Sequence, residues 1–378
     1  HWTLAMMSRP IKGARTAAMK TKSNVISKSA ILSRRTLLKA IPALSLSPVL
    51  FAQSGSAIAV RKLHSYGMRV SNVERSVRFY QDRVGASIQS RQGASVCLRI
   101  GEGLRFFSLS PLLPGQTPGF SHIGLSVGNF DLESVRDQLD ALGVSRRAQP
   151  GPNQASLGIA MQSWTRTRDQ SEGGSASGTK ELFFADIEGL IYQLNSADHC
   201  GGAGAFGDVC ERAEEASADG MFRSLDLSHF TNFLANKDRA NEFYTRAFGL
   251  GFQAYQGPAS PIVGVGDGIQ FLMYVGGDEA GAPTQPGRVD HVCLSVEDFD
   301  VDGIIAKLED YGFTARENAD NTPPLAHWIS MRMPNRGGIE GGTPEVYFSD
   351  PDGIRIQLQD AVYCGGGGYL GDDCSAPV

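Results

Sequence analysis

The chain contains the same domain-length pattern twice. Tyr347–Leu358 reads Tyr-Phe-Ser-Asp-Pro-Asp-Gly-Ile-Arg-Ile-Gln-Leu, and Phe183–Leu194 is a degraded copy, Phe-Phe-Ala-Asp-Ile-Glu-Gly-Leu-Ile-Tyr-Gln-Leu. The offset between Asp186 and Asp350 is 350 − 186 = 164. It recurs between Tyr80 and Tyr244, Gly85 and Gly249, Cys200 and Cys364, and Cys210 and Cys374. A period this long exceeds any solenoid unit and matches a domain that buries its own core. Two similar domains follow, 60–210 and 222–378, joined by a polar, Ala-rich linker at 211–221. The 41% hydrophobic and 20% charged residues suit a globular chain, and the 45 glycines favour tight turns over long helices.

Residues 1–59 read as a leader rather than as fold. They hold nine Lys or Arg and no acid, then an apolar run from Ala40 to Ala52 and an Ala57-Ile58-Ala59 cleavage pattern. Pro42 and Pro48 argue against a core helix there, and the run is too short to span a bilayer. Ser33–Lys39, with Arg34-Arg35, resembles a twin-arginine export signal. The expectation is a mature chain starting near Val60, delivered by the twin-arginine machinery to the periplasm or outside the cell, with no membrane contact after cleavage. Residues 60–378 then carry 35 − 9 = 26 bases against 40 acids, a net −14. That balance offers no general attraction to phosphate backbones, so a nucleic-acid partner is not expected.

The six cysteines divide into two groups. Cys200/Cys210 and Cys364/Cys374 each enclose a glycine-rich loop at the end of a repeat, and in an oxidising compartment they read as two local disulfides. Each closure contributes about 2 to 3 kcal/mol. Zinc is the alternative, but a lone C-x9-C lacks the paired short spacings of zinc sites. Cys97 and Cys293 lie in apolar strand-like runs and read as buried thiols.

Each repeat is itself a pair of modules. After a strand at Ser65–Val70, Val73, Val77, Tyr80 and Val84 step along one helical face, and short strands follow near 86–90, 94–100 and 104–109. The pattern restarts at His122–Val127, with a helix through Leu132, Val135, Leu139 and Leu142. It closes with strands at 181–185 and 190–195, after a glycine-rich insertion around 171–178 that is expected to be mobile. The second repeat has the same order. The expected class is α+β: four β-α-β-β-β modules in two tandem pairs, with curved mixed sheets around a cavity.

The strand-helix openings ending in Phe79-Tyr80 and Phe243-Tyr244, the strands beginning His122-Ile-Gly-Leu and His291-Val-Cys-Leu, and the Asp-Pro-Asp-Gly ending together resemble the vicinal oxygen chelate superfamily. This superfamily includes glyoxalase I, bleomycin-resistance proteins and type I extradiol dioxygenases. The resemblance covers everything after the leader. It implies a metal held by the first strand of each module and the last strand, which in the second repeat means His229, His291 and Gln357. Two imidazoles and a side-chain oxygen suit one divalent ion, Fe(II) first, with Mn(II), Zn(II) or Ni(II) as alternatives. The equivalent positions of the first repeat are Ser65, His122 and Gln193. Serine is a poor ligand, and strand alternation turns the adjacent His64 away, so the first site is expected to be empty. This asymmetry resembles extradiol dioxygenases, in which the second domain alone holds iron, and it places Tyr347 as a catalytic residue where the first repeat has Phe183.

Gln357 departs from the family, which uses a carboxylate there. Glu345 has the parity to supply one, although its counterpart Glu181 argues for a structural role for both. For His229 and His291 the plainer alternative is a pair of hydrogen-bonded core histidines, and for Tyr347 a core aromatic. His327, Arg332 and Arg336 are candidates to contact an anionic substrate, with solvated loop positions as the alternative. Three readings stay open. The first is a metal-dependent, dioxygenase-like or glyoxalase-like enzyme acting on a small molecule that chelates through adjacent oxygens. The second is a metal-free binding protein of the bleomycin-resistance type, with an acidic, aromatic cavity for a cationic ligand. The third is a structural partner domain of a larger exported complex.

Overall fold

The computed structural model describes residues 57–147, 161–258 and 260–374. The leader, apart from Ala57–Ala59, lies outside the described residues. The first repeat contains β1 (Val60–Val70), α1 (Val73–Val84), β2 (Ile88–Gln92), β3 (Ser95–Arg99), β4 (Phe106–Pro111), β5 (Gly119–Val127), α2 (Leu132–Ala141), β6 (Ser145–Arg146), β7 (Gln162–Arg168), β8 (Thr179–Ala185) and β9 (Ile191–Asn195). The second contains β10 (Ser224–Leu234), α3 (Lys237–Phe248), β11 (Phe252–Tyr255), β12 (Pro261–Gly264), β13 (Phe271–Gly276), β14 (Arg288–Val296), α4 (Val301–Asp310), β15 (Thr314–Ala315), β16 (Ala326–Arg332), β17 (Thr343–Ser349) and β18 (Arg355–Asp360).

Each repeat forms one nine-stranded, curved mixed sheet. The orders are β2-β3-β4-β1-β5-β9-β8-β7-β6 and β11-β12-β13-β10-β14-β18-β17-β16-β15, identical position for position. This is the α+β class expected from the sequence. The helices start where the sequence caps them: Asn72, Asp131, Asn236 and Asp300 each accept a backbone N–H of the first turn. Gly85 and Gly249 close α1 and α3 in the left-handed region, at φ 71° and 63°. The glycine-rich insertion is organised: Asp169 caps a short 3-10 turn at Gln170–Glu172, and Gly174 N–H donates to its carbonyl at 2.7 Å. Both disulfides form, and Cys97 and Cys293 are free and buried.

The two repeats interlock through the motif that reveals the duplication. Asp186, in the turn before β9, takes N–H groups from Glu188 and Leu190 on one oxygen and the hydroxyl of Tyr244, on α3, at 2.7 Å on the other. Asp350 does the same with Asp352, Ile354 and Tyr80 of α1, the last at 3.2 Å. The next acidic residue of each turn holds the segment that leads into the partner repeat's first helix. Glu188 accepts from Ala235 and Asn236 N–H and pairs with Arg239; Asp352 accepts from Ser71 and pairs with Arg75. Tyr192 and Tyr274 meet hydroxyl to hydroxyl at 3.1 Å, and Tyr66 packs edge-on against Phe230. One apolar core therefore runs through both repeats. Residues 211–221 are part of this packing, since Glu214 bridges the edge of β2 at Ile88.

Candidate functional site

Strand register assembles the site. In the second sheet, Phe271 of β13 pairs with His229 of β10, His229 with Cys293 of β14, Cys293 with Gln357 of β18, Gln357 with Tyr347 of β17, and Tyr347 with Trp328 of β16. Residues opposite one another in a ladder share a face, so six side chains from six strands form one row. His291 lies two residues before Cys293 and joins that face. The matching row in the first repeat is Phe106, Ser65, Gly124, Gln193, Phe183 and Trp164. The differences are Ser65 for His229, Gly124 for Cys293 and Phe183 for Tyr347. Gly124 has no room for a side chain, because a Cβ there would lie 2.1 Å from Ser65 Oγ.

His229, His291, Gln357, Tyr347, Glu345 and Arg336 all line one cavity of about 300 Å³. The His229 ring stacks on Phe271 at 4.3 Å and stands edge-on to His291 at 5.6 Å. Asp290 holds His291 Nδ1 at 2.9 Å and is itself fixed by Arg355 at 3.0 Å, which leaves Nε2 to face a ligand. Burial, and next the neighbouring His291, hold His229 well below its ordinary pKa; the hydrogen bond that its ring makes to the Gln357 side chain acts in the opposite direction. His229 is therefore held as a neutral imidazole, with its Nδ1 3.2 Å from Ser228 Oγ. Tyr347 stacks on Trp328 at 5.2 Å and stands at right angles to His291; burial, and then Glu345, push its hydroxyl well above the usual phenol range.

Glu345 is committed elsewhere. Its Oε1 accepts from Arg332 Nε at 3.0 Å, and its Oε2 accepts from the Tyr347 hydroxyl at 3.3 Å. Arg332 is fully buried and also donates to the carbonyl of Gly366, inside the disulfide loop. Arg168 and Glu181 repeat this arrangement at 2.8 Å, with Gly202 in the place of Gly366. A pair present in both repeats that pins each disulfide loop to its sheet is structural, so Arg332 is spent on packing and does not line the cavity. His327 lies off the cavity as well: its strand neighbour Trp328 faces inward, and His327 Nε2 is 3.5 Å from Glu309 on α4.

The cavity also contains residues that the sequence analysis passed over. Arg316 stacks over Trp328 at 4.0 Å, Arg355 stands two residues before Gln357, and Tyr363 packs 5.5 Å from His229. Arg355 has the parity of Gln357, a signal present in the sequence; Arg316 has none. With Arg355 paired to Asp290 and Glu345 to Arg332, Arg316 and Arg336 leave the wall positive, opposite to the acidic cavity expected of a cation-binding protein. A larger recess of about 450 Å³ lies beside Phe252 on the outer side of α3 and contains none of these residues.

The donors suit a neutral set of two imidazoles and an amide. They do not make a two-His-one-carboxylate triad, and among the described residues no three His, Cys, Asp or Glu side chains gather as a metal site. Gln357 Nε2 is buried without a hydrogen-bond partner, so the amide's free group here is an N–H donor, while the Gln357 side chain is already hydrogen-bonded to His229.

The first repeat differs from expectation at His64. β1 is bulged between Leu63 and Ser65, as β10 is between Leu227 and His229, and alternation lapses where two residues oppose one. The His64 ring consequently meets Phe106 at 6.1 Å and His199 at 5.7 Å, the counterparts of the Phe271 and Tyr363 that surround His229.

No family model matches the sequence, and no curated protein matches it. Solved structures do. Homoprotocatechuate 2,3-dioxygenase from Brevibacterium fuscum, in complex with 3,4-dihydroxyphenylacetate, superposes with a TM-score of 0.52 at 15% identity over 80% of this chain and 82% of that one. An extradiol ring-cleaving dioxygenase from the same organism gives 0.52 at 16% over 85% and 76%. Homoprotocatechuate 2,3-dioxygenase from Arthrobacter globiformis gives 0.50 at 14% over 80% of each chain. Identity this low speaks for architecture alone. The chain has the two-sheet fold of the extradiol ring-cleaving dioxygenases, in line with the vicinal oxygen chelate resemblance of its sequence.

Proposed function

We propose that the second repeat carries a dioxygenase-like active site for a small, anionic aromatic molecule with two adjacent oxygens. The observation that carries this reading is that His229, Gln357, Tyr347 and Trp328 of the single row line, with His291, one cavity that also holds Arg316, Arg336 and Arg355. His229, His291 and Gln357 would hold a divalent ion, Fe(II) first, which when bound would act as a Lewis acid toward the two substrate oxygens. Asp290 keeps the His291 ring oriented, and Phe271 keeps that of His229. Arg316 and Arg336 offer charge to an anionic substituent. The buried Tyr347 hydroxyl stays protonated at neutral pH; its single proton, given to Glu345 here, would turn to a substrate oxygen only when one is bound.

The competing reading is metal-free binding, favoured by one observation: the single glutamate in the cavity wall is tied to Arg332. Metal analysis of the purified protein, with oxygen consumption on a catechol carboxylate, separates the two. The enzyme reading expects close to one ion per chain and activity that is lost in His229→Ala. Metal far below one per chain, with activity unchanged in His229→Ala, ends it. We further infer that the domains divide at 60–210, 211–221 and 222–378, and that the chain is exported to an oxidising compartment, a reading the two disulfides support. Among the described residues no helix is long and apolar enough to cross a membrane.

A further inference from the structure

Ala57, Ile58 and Ala59 stand upstream of β1, where the sequence pattern invites cleavage after Ala59. In the structure they are built into the fold. Ile58 is 1% exposed and belongs to the shared apolar core. Its N–H donates to the carbonyl of Ala247, in the last turn of α3, at 3.0 Å, so a residue preceding the first repeat closes a helix of the second. Ala57 packs beside Gly249, where a Cβ on the glycine would lie 3.3 Å from that of Ala57. The carbonyl of Ala59 accepts from Gly128 N–H at 2.8 Å, extending the pairing of β1 with the end of β5.

The duplication makes the same contact again. Ahead of β10, Met221 N–H donates to the carbonyl of Arg83 at 2.7 Å; the acceptors are 247 − 83 = 164 apart and the donors 221 − 58 = 163. The carbonyl of Arg223 accepts from Glu297 N–H at 3.0 Å, and 223 − 59 = 164. Met221 and Phe222 are buried at 3% and 6%. Each repeat is thus entered through a short anchor that satisfies the C-terminal carbonyls of the other repeat's first helix, groups that a helix cannot satisfy by itself. In the linker this anchor is covalently secured on both sides. At the amino end it survives only if processing spares it.

We propose that Ala57–Ala59 are a retained anchor of the folded protein, and that any proteolytic maturation cuts N-terminal to Ala57 rather than after Ala59. A cut after Ala59 would remove a buried isoleucine and leave the Ala247 carbonyl without its donor.

Two measurements test this, and neither depends on the proposed activity. N-terminal sequencing and intact mass of the protein purified from producing cells are expected to show a first residue at or before Ala57; a first residue after Ala57 overturns the proposal. In the full chain, Ile58→Asp is expected to lower the melting temperature by about 3 to 6 °C and Ile58→Val by about 1 °C, on the entropy scale of a chain this size. If Ile58→Asp does not fold, the Ile58→Val shift alone decides. Melting identical to wild type in both variants, or in Ile58→Val when it is the only one that folds, also overturns it.

Discussion

Single positions separate function from scaffold because the duplication supplies an internal control for each of them. Tyr347 and Phe183 stack on equivalent tryptophans, Trp328 and Trp164, and both stand at right angles to a histidine. The hydroxyl is thus an addition to a frame that stands without it. Tyr347→Phe is expected to change stability by less than about 1 kcal/mol while lowering turnover at least tenfold, read from denaturant unfolding and from kcat. Glu345 behaves in the opposite way. Removing it leaves a fully buried Arg332 uncompensated, at a cost of about 3 to 5 kcal/mol. The matching change at Glu181 is expected to cost the same, measured as the shift in unfolding free energy for Glu345→Ala and Glu181→Ala. A much smaller cost at Glu345 would return it to the list of metal ligands. The superfamily resemblance pointed to His229, His291, Gln357 and Tyr347, whereas the partner of Glu345 depends on a β16–β17 pairing that residue spacing does not reveal.

At the scale of elements, most strands and all four helices follow from local pattern. β7 and β16 do not, because Gln162–Arg168 and Ala326–Arg332 intersperse polar residues through a strand that sits beside glycine-rich turns. The bulge in β1 was equally hidden, since alternation is a rule about regular strands and the extra residue shows only in the pairing. The Asp-Gly turns contribute beyond their own hairpins. Tyr244→Phe removes a hydroxyl from the buried Asp186 and is expected to cost about 1 to 3 kcal/mol, as is Tyr80→Phe at Asp350. Burial is the main cause that raises Asp186 to about 7 and Asp350 to about 6, from 3.8. With folded values above unfolded ones, the contribution to stability is full below pH 3.8 and is lost as pH rises through 6 to 7. The melting temperature is therefore expected to fall between pH 5 and pH 8 by more in wild type than in an Asp186→Asn, Asp350→Asn double variant; equal slopes would mean that both groups are ionised throughout.

Across the whole molecule, the duplication, the order of the modules and the disulfide loops were legible along the chain, because each is written in residues close together or repeated at a fixed offset, whereas the candidate histidines came from the superfamily resemblance. The tertiary structure decided what those residues meet. Tyr80 reaches Asp350 across 270 positions and Tyr244 reaches Asp186 across 58, so the most repetitive motif in the sequence turned out to be the clasp between repeats. The cavity wall became positive because Arg316 folds over Trp328 and Arg336 joins it there, with Arg355 paired to Asp290. Both outcomes depend on register and on contacts between distant segments, and neither leaves a period in the sequence from which it can be read.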